Sequence, residues 1–334
     1  MMEAIIMAAP GEATVLQATR LPLPEPVQPT EMRVRLKAAG VNPVDTKIRQ
    51  RGAYLQPQAP AVLGLDGAGI VDAVGPGVRH FSVGDAVYFC SGGLGGDRGT
   101  YAEYAIVDEH HAARKPDRLS FVEAAAAPLV LITAWEALYR RARVTRGDRV
   151  LVHAGAGGVG HIAVQLARLR AAHVATTIST EAKAQLASAL GADHCIYYPH
   201  LDFVAATLTW TGQQGVAIAF DTVGEPTLSR TFAATQLGGT VLTLHSPTPD
   251  TDWSLARTRN LNVGFELMLT PALQGLETAR RQQTKILERG GRLFNSGELH
   301  VHIGQTWPLH QAAAAHRWVE SGQGMGKAVL TMDG

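Results

Sequence analysis

Residues 147–169 read GDRVLVHAGAGGVGHIAVQLARL, and the fold follows from this stretch. Arg149-Val150-Leu151-Val152-His153 is a short apolar run rich in β-branched side chains, the pattern of a strand buried on both faces of a parallel sheet. Gly155, Gly157, Gly158, Val159 and Gly160 then complete a G-x-G-x-x-G. Ile162, Val164, Leu166 and Leu169 predict a helix directly after it. Strand, glycine turn and helix are the context that a dinucleotide-binding fingerprint requires. In that reading the first glycine allows the tight turn, the second lets backbone approach a pyrophosphate, and the third packs helix on strand. N–H groups at the helix start meet the phosphate charge. A glycine turn with no ligand is the plainer alternative, and the flanking elements weigh against it.

At 334 residues the chain is long enough for two domains with separate cores. Hydrophobic residues make up 46% and charged residues 18%, the balance of a globular protein. A net charge of +1 gives no footprint for nucleic acid or an anionic membrane surface. No apolar run approaches the roughly 20 residues that span a bilayer. The opening MMEAIIMAAPGEAT has Glu3 and no basic lead, so it does not read as a signal peptide. Cys90 and Cys195 each sit in an apolar run, which predicts buried thiols, no disulfide and a cytoplasmic protein.

Working outward, residues 1–117 are dense in strand patterns, glycine and proline. Residues 4–7, 32–39, 62–75, 85–89 and 101–107 predict strands, and LPLPEPVQPT between the first two predicts an extended connector. In residues 32–39 apolar side chains alternate with basic ones, one face to solvent. This half reads as an antiparallel, barrel-like β domain. Ser120 with Glu123 forms a capping box before the alanine run 124–127. From there strands and helices alternate, the mark of a parallel sheet, with strands at 149–153, 173–178, 195–198, 216–221, 240–244 and 261–265. The tail predicts a helix over 271–288, a strand over 299–303, a helix over 309–319 and a final strand over 328–332.

These segments together resemble the medium-chain dehydrogenase/reductase superfamily, in its zinc-free quinone oxidoreductase (zeta-crystallin-like) branch. The resemblance spans nearly the whole chain. Its anchors are Ala39-Gly40-Val41-Asn42-Pro43-Val44-Asp45 and Gly64-Leu65-Asp66-Gly67-Ala68-Gly69, followed by Val83-Gly84-Asp85-Ala86-Val87-Tyr88 and Gly99-Thr100-Tyr101-Ala102-Glu103-Tyr104. The fingerprint, Phe220-Asp221-Thr222-Val223-Gly224 and Gly326-Lys327-Ala328-Val329-Leu330 complete the series. The resemblance implies an α/β protein: a GroES-like β-barrel catalytic domain plus a doubly wound Rossmann coenzyme domain. Residues 1–122 would form the catalytic domain, 123–267 the coenzyme domain, and 268–334 would return to the first. It also implies an interdomain cleft for coenzyme and substrate, and a homodimer built through the strand near Val263.

The zinc enzymes of the superfamily carry a cysteine at the place of Asn42 and a His-Glu pair at that of Leu65-Asp66. A catalytic zinc needs three Cys, His or carboxylate ligands, and a structural one typically four thiolates. Neither set is present, so no metal is expected. His110 and His111 diverge if the chain is extended there, and His300 with His302 have no third ligand in sequence reach.

An NAD-preferring site places an acidic residue at the tip of the second strand. Here the tip is Ser179, with Thr180 beside it and Lys183 one turn on, a set that suits a 2′-phosphate and therefore NADPH. Glu181 reads as favourable charge at a helix N-terminus. By resemblance, Lys183 and Tyr198 hold the 2′-phosphate and adenine side, although a core tyrosine is the alternative for Tyr198. Thr133 falls where the family presents a threonine to the nicotinamide ribose, with helix packing as its alternative. Val223, Leu244 and His245 would line the nicotinamide side, since ligands sit at the carboxyl ends of parallel strands. Asn42, Phe265 and Lys327 join the expected coenzyme contacts.

Without a Lewis acid, alcohol oxidation loses its means of stabilising an alkoxide. Hydride delivery to a quinone or an α,β-unsaturated carbonyl needs less, because the acceptor delocalises the incoming charge and nearby hydrogen-bond donors suffice. The expected catalytic group is Asn42 and Tyr54 as donors, with Lys47 replacing a second cleft tyrosine of the branch. Lys47 reads two ways: a handle for a polar or anionic acceptor, or a solvated lysine. The expected activity is NADPH-dependent reduction of a small quinone or enone. The alternatives are a metal-free enoyl-thioester reductase, or a non-catalytic NADPH-binding protein with a structural or regulatory role.

Overall fold

The computed structural model describes residues 1–55, 60–96 and 98–332, and the chain forms two compact units. The first comprises Met1–Val130 and Leu269–Gly334, the second Leu131–Met268. The first unit runs on to Val130 rather than stopping at 122. The cause is the Phe121–Ala126 helix, capped by Ser120 as its sequence predicts, which packs on the strands Glu31–Val41 and Asp66–Val74.

The first unit is built from two sheets. The smaller pairs Met2–Met7 with Leu16–Leu21 and Ala61–Val62, all antiparallel. The larger orders Ile303–Pro308, Lys327–Thr331, Glu31–Val41, Asp66–Val74, Ala86–Cys90 and Ala112–Arg114, with Tyr104–Asp108 also paired to Glu31–Val41. The described strand pairs within residues 1–117 are antiparallel, as expected, and the one parallel pair is formed by the two tail strands Ile303–Pro308 and Lys327–Thr331. Met32, Val34 and Leu36 are buried while Arg35 on the opposite phase is exposed, as the alternation requires. Lys327–Thr331 pairs with Glu31–Val41, which fixes the tail in this sheet.

The second unit is a six-stranded parallel sheet. Its strands are β1 (Arg149–Val152), β2 (His173–Ile178), β3 (His194–Tyr197), β4 (Val216–Asp221), β5 (Thr235–Thr243) and β6 (Asn262–Phe265). The spatial order is β3-β2-β1-β4-β5-β6, the doubly wound order that reverses direction beside β1. Val150, Leu151, Val152, Val174, Phe220 and Val241 are fully buried, as parallel strands covered on both faces must be. Burying a side chain of this kind contributes roughly 1.5–3 kcal/mol.

Several boundaries differ from expectation. The tail helix is Glu277–Ser296 and continues through Gly290-Gly291, since Gln283, Ile286, Leu287, Gly290 and Phe294 share its buried stripe. The strand expected at 299–303 lies at Ile303–Pro308. Cys90 and Cys195 are free thiols, yet only partly buried. No helix among the described residues is long and apolar enough to cross a membrane.

Candidate active site

The fingerprint turn leaves β1 and enters the helix Gly160–Leu169. Its left-handed residue is Ala154, φ 52°, so the tight turn falls one residue before the first glycine. Ala154 is held there by its N–H, which donates to Thr177 Oγ1 at 3.0 Å. Gly155 is glycine for a different reason than expected. A Cβ there would sit 2.1 Å from Thr176 Oγ1 on the adjoining strand. At Gly160 a Cβ would lie 2.1 Å from the Ala154 carbonyl oxygen, so helix and turn touch through bare backbone. Gly157 is different: its nearest neighbour would be 3.1 Å away, and Gly157, Gly158 and Val159 are only half-buried. The turn is thus closed at both ends and open in the middle. Gly157 N already donates to the Ala154 carbonyl at 2.8 Å and His161 N to the Gly157 carbonyl at 3.1 Å, so the amides at 158–160 are the ones that face a ligand. Such a surface fits a diphosphate.

Sequence reasoning missed the residues that brace this turn. Thr222 Oγ1 donates to the His153 carbonyl at 2.8 Å, and His153 Nε2 meets Thr231 Oγ1 at 2.9 Å. Burial lowers the His153 pKa to about 4, so the ring is neutral at pH 7. Asp221, also fully buried, accepts from Val223 N, Gly224 N and Thr243 Oγ1 at 2.9, 3.0 and 2.7 Å. That carboxylate shapes the turn presenting Val223, which is 46% exposed. Asp221 is level with Thr243, and Thr243 with Phe265, so Val223, Leu244, His245 and Phe265 gather at the carboxyl ends of β4, β5 and β6. His245 Nε2 lies 3.3 Å from the Thr222 carbonyl oxygen.

At the end of β2 stand Ser179, Thr180 and Lys183. Thr180 caps the helix Glu181–Ala189, its hydroxyl accepting from Lys183 N at 3.3 Å. Glu181 accepts a hydrogen bond from Tyr197 Oη at the end of β3. Tyr198 itself is not a core residue; it is 55% exposed just past β3. Thr133 is buried in the helix Pro128–Trp135, which runs into a π-helical turn at Glu136–Arg141.

Glu266 follows β6 and is buried, accepting from Arg141 Nε at 2.5 Å. Burial, with Glu136 nearby, pushes its carboxyl up from the usual 4.5 to about 7. Between those values the folded chain keeps a proton that the unfolded chain releases, so this group makes stability fall as pH rises through the window. The expected loss is roughly 3 kcal/mol. Glu266→Gln should flatten that slope in urea unfolding followed from about pH 5 to about pH 8.

In the first unit the anchor loop is the helix Pro43–Arg51, with Asp45 Oδ2 accepting from Asn42 N at 2.7 Å. Asn42 is fully buried and corrects an expectation. Its Nδ2 donates to Asp66 Oδ2 at 2.9 Å and its Oδ1 accepts from Lys327 Nζ, so the amide is engaged at both ends rather than presented to an acceptor carbonyl. Lys327 is likewise turned inward: its Nζ donates to the Val41 carbonyl at 3.2 Å and lies 3.9 Å from Asp66. Burial raises the Asp66 pKa against the pull of Lys327, and pushes Asp45 up to about 7. Lys47 is half-buried; burial first, then Arg51, lowers its pKa, so it is not simply a solvated lysine. Tyr54 is 51% exposed beside residues 56–59, which lie outside the described part of the chain.

Two family models match: an alcohol dehydrogenase GroES-like domain at residues 28–117 and a zinc-binding dehydrogenase at residues 190–330. The chain is 33% identical over 328 residues to quinone oxidoreductase 1 of Escherichia coli, covering 96% of both. It is 34% identical to a 2-haloacrylate reductase of a Burkholderia species, covering 90% of this chain and 91% of that one. The solved structure of an Escherichia coli quinone oxidoreductase complexed with NADPH superposes with a TM-score of 0.87 at 32% identity, covering 98% of this chain and 99% of that one. The chain therefore belongs to the quinone oxidoreductase branch of the medium-chain dehydrogenase/reductase superfamily, and it is an oxidoreductase. Zinc, which the second model's description implies, does not fit the Asn42 region. Leu65 offers no donor, and Asp66 already faces an ammonium that a dication would have to displace.

Proposed function

We propose that this protein binds NADPH and delivers its hydride, without a metal at the site, to a quinone or an α,β-unsaturated carbonyl. The fingerprint turn carries the reading: it is closed by the Thr176 side chain at Gly155 and by backbone at Gly160 and is open at Gly157, a cradle for a diphosphate. Ser179, Thr180 and Lys183 would hold the 2′-phosphate. Tyr197 would hold the Glu181 carboxylate in place, and the Lys183 ammonium would offset its charge. Val223, Leu244, His245 and Phe265 would bound the nicotinamide, and Thr133 its ribose. When bound, NADPH supplies the hydride. Tyr54 is the donor left to steady the acceptor carbonyl, and half-buried Lys47 favours a polar or anionic acceptor over an apolar one. The printed names of the relatives, a quinone oxidoreductase and a 2-haloacrylate reductase, support conjugated acceptors. β6 has an open edge with Val263 half-buried, which supports a homodimer formed by strand pairing.

Steady-state kinetics with 9,10-phenanthrenequinone, for wild type and Lys183→Glu, test this reading. Wild type should consume NADPH. Lys183→Glu should raise the KM for NADPH by roughly ten- to a hundredfold while that for NADH changes little. Equal effects on both coenzymes would remove the 2′-phosphate assignment. No turnover with any quinone or enone, despite NADPH binding, would leave a non-catalytic binding protein.

A further inference from the structure

We propose that His80, Glu109 and His110 form a binding site for a first-row divalent transition ion such as Zn²⁺, on the wall of a cavity in the first unit and separate from the candidate active site. One donor atom from each residue lies within 4.8 Å of the others, the set among the described residues that brings three such donors together. His80 comes from the loop after Asp66–Val74, the other two from the turn Glu109–His111, 29 positions further along the chain.

One carboxylate creates this meeting. Glu109 is buried, and its Oε2 accepts from Arg79 N at 2.9 Å and His80 N at 2.8 Å, which pins the His80 loop against the turn. Oε1 is the oxygen assigned to the ion. His110 is oriented in the manner of a metal-ligating histidine: its Nδ1 meets Asp108 Oδ1 at 2.7 Å, and Asp108 Oδ2 accepts from Thr30 Oγ1 at 2.5 Å. A carboxylate on one ring nitrogen fixes the tautomer and raises the basicity of the other, here Nε2. His80 is exposed, so its side chain is the one that moves to bring the donors to the roughly 3.3 Å spacing of tetrahedral ligands.

His80, Glu109 and His110 all line a cavity of about 760 Å³, walled on its far side by the helix Glu277–Ser296. Three protein ligands leave a fourth position open to that cavity, which water completes. Arg114, whose guanidinium donates to the His80 carbonyl at 3.2 Å, and Lys115, Arg281, Lys285 and Arg292 on the cavity wall oppose a cation, and the carboxylates of Glu109, Asp117 and Glu288, with Asp108 on the His110 ring, offset them. The donor set, two imidazoles and one carboxylate, suits zinc, nickel or iron(II) over magnesium or calcium.

The test is calorimetric titration of the chelator-treated, full-length protein with Zn²⁺ alone, supported by the visible spectrum with Co²⁺. Wild type should take up one Zn²⁺ per chain at this site. His80→Ala and His110→Ala should each weaken that binding at least about a hundredfold, and Asp108→Asn by roughly ten- to a hundredfold through loss of ring orientation. His173→Ala, on an exposed residue elsewhere, should leave it unchanged. Since His80 is exposed, its variant folds, and its NADPH-dependent turnover should equal that of wild type. No stoichiometric uptake, or uptake of equal affinity in His80→Ala and His110→Ala, would overturn the proposal while leaving the reductase reading in place.

Discussion

Gly160→Ala should bind NADPH about a hundredfold more weakly than wild type, the scale of loss when a positioned group moves by about an ångström. The added methyl would meet the Ala154 carbonyl oxygen at 2.1 Å, the Ala154 carbonyl carbon at 2.8 Å and Gly155 Cα at 2.9 Å. All three atoms are backbone, so the strain cannot be relieved by a side-chain rotation, and the helix start must shift. Overpacking of this kind also costs roughly 1–3 kcal/mol of stability. Gly157→Ala separates the two effects. Its methyl would meet the Ala154 carbonyl oxygen at 3.1 Å, a tight contact that a shift of about a few tenths of an ångström relieves, so stability should change by no more than about 1 kcal/mol. Affinity for NADPH should still fall at least about tenfold, because the methyl occupies the space through which a diphosphate approaches the amides. Fluorescence titration with NADPH and urea unfolding of both variants supply the comparison. Unaltered affinity in Gly157→Ala would show that the diphosphate does not rest on this turn.

Lys327→Met should lower the stability of the first unit by roughly 3–5 kcal/mol near pH 8, the cost of leaving a buried charge without its partner. Lys327 and Asp66 are 3% and 0% exposed. Removing the ammonium leaves the Asp66 carboxylate with hydrogen bonds from Asn42 Nδ2 and Leu129 N, both at 2.9 Å, and no cation. The loss should shrink as pH falls, because protonation then neutralises a carboxyl whose pKa burial already raises. Asp66→Asn combined with Lys327→Met should recover much of it, since both charges are then gone. A Lys327→Met protein as stable as wild type at every pH would show that this cluster adds nothing to the fold.

The parts of this architecture that could be read from sequence are those written locally. The β1–turn–helix unit is one, because strand, glycines and helix fall within 147–169. The alternation of Met32, Val34 and Leu36 with Arg33, Arg35 and Lys37 is another. Where local preference and tertiary demand disagree, reading fails. Gly290-Gly291 signals a helix end, yet the Glu277–Ser296 helix continues because that pair lies on its buried stripe. Leu16–Leu21 has no buried face to pattern it and went unread. The partner of Glu181 was also invisible: Tyr197, 16 positions along the chain at the end of β3, donates to it. The Asn42–Asp66–Lys327 cluster joins residues 24 and 285 positions apart, and nothing in the chain near Asn42 announces that its amide is occupied. The same limit hid His80 from Glu109 and His110.

The claim on which the chemistry depends is that hydride reaches a conjugated acceptor without help from a metal ion. NADPH oxidation with 9,10-phenanthrenequinone, measured on one preparation before and after exhaustive chelation with its metal content assayed in parallel, tests it most directly. Turnover should be unchanged when the metal has been removed. Activity that disappears with chelation and returns in proportion to added zinc would contradict the account.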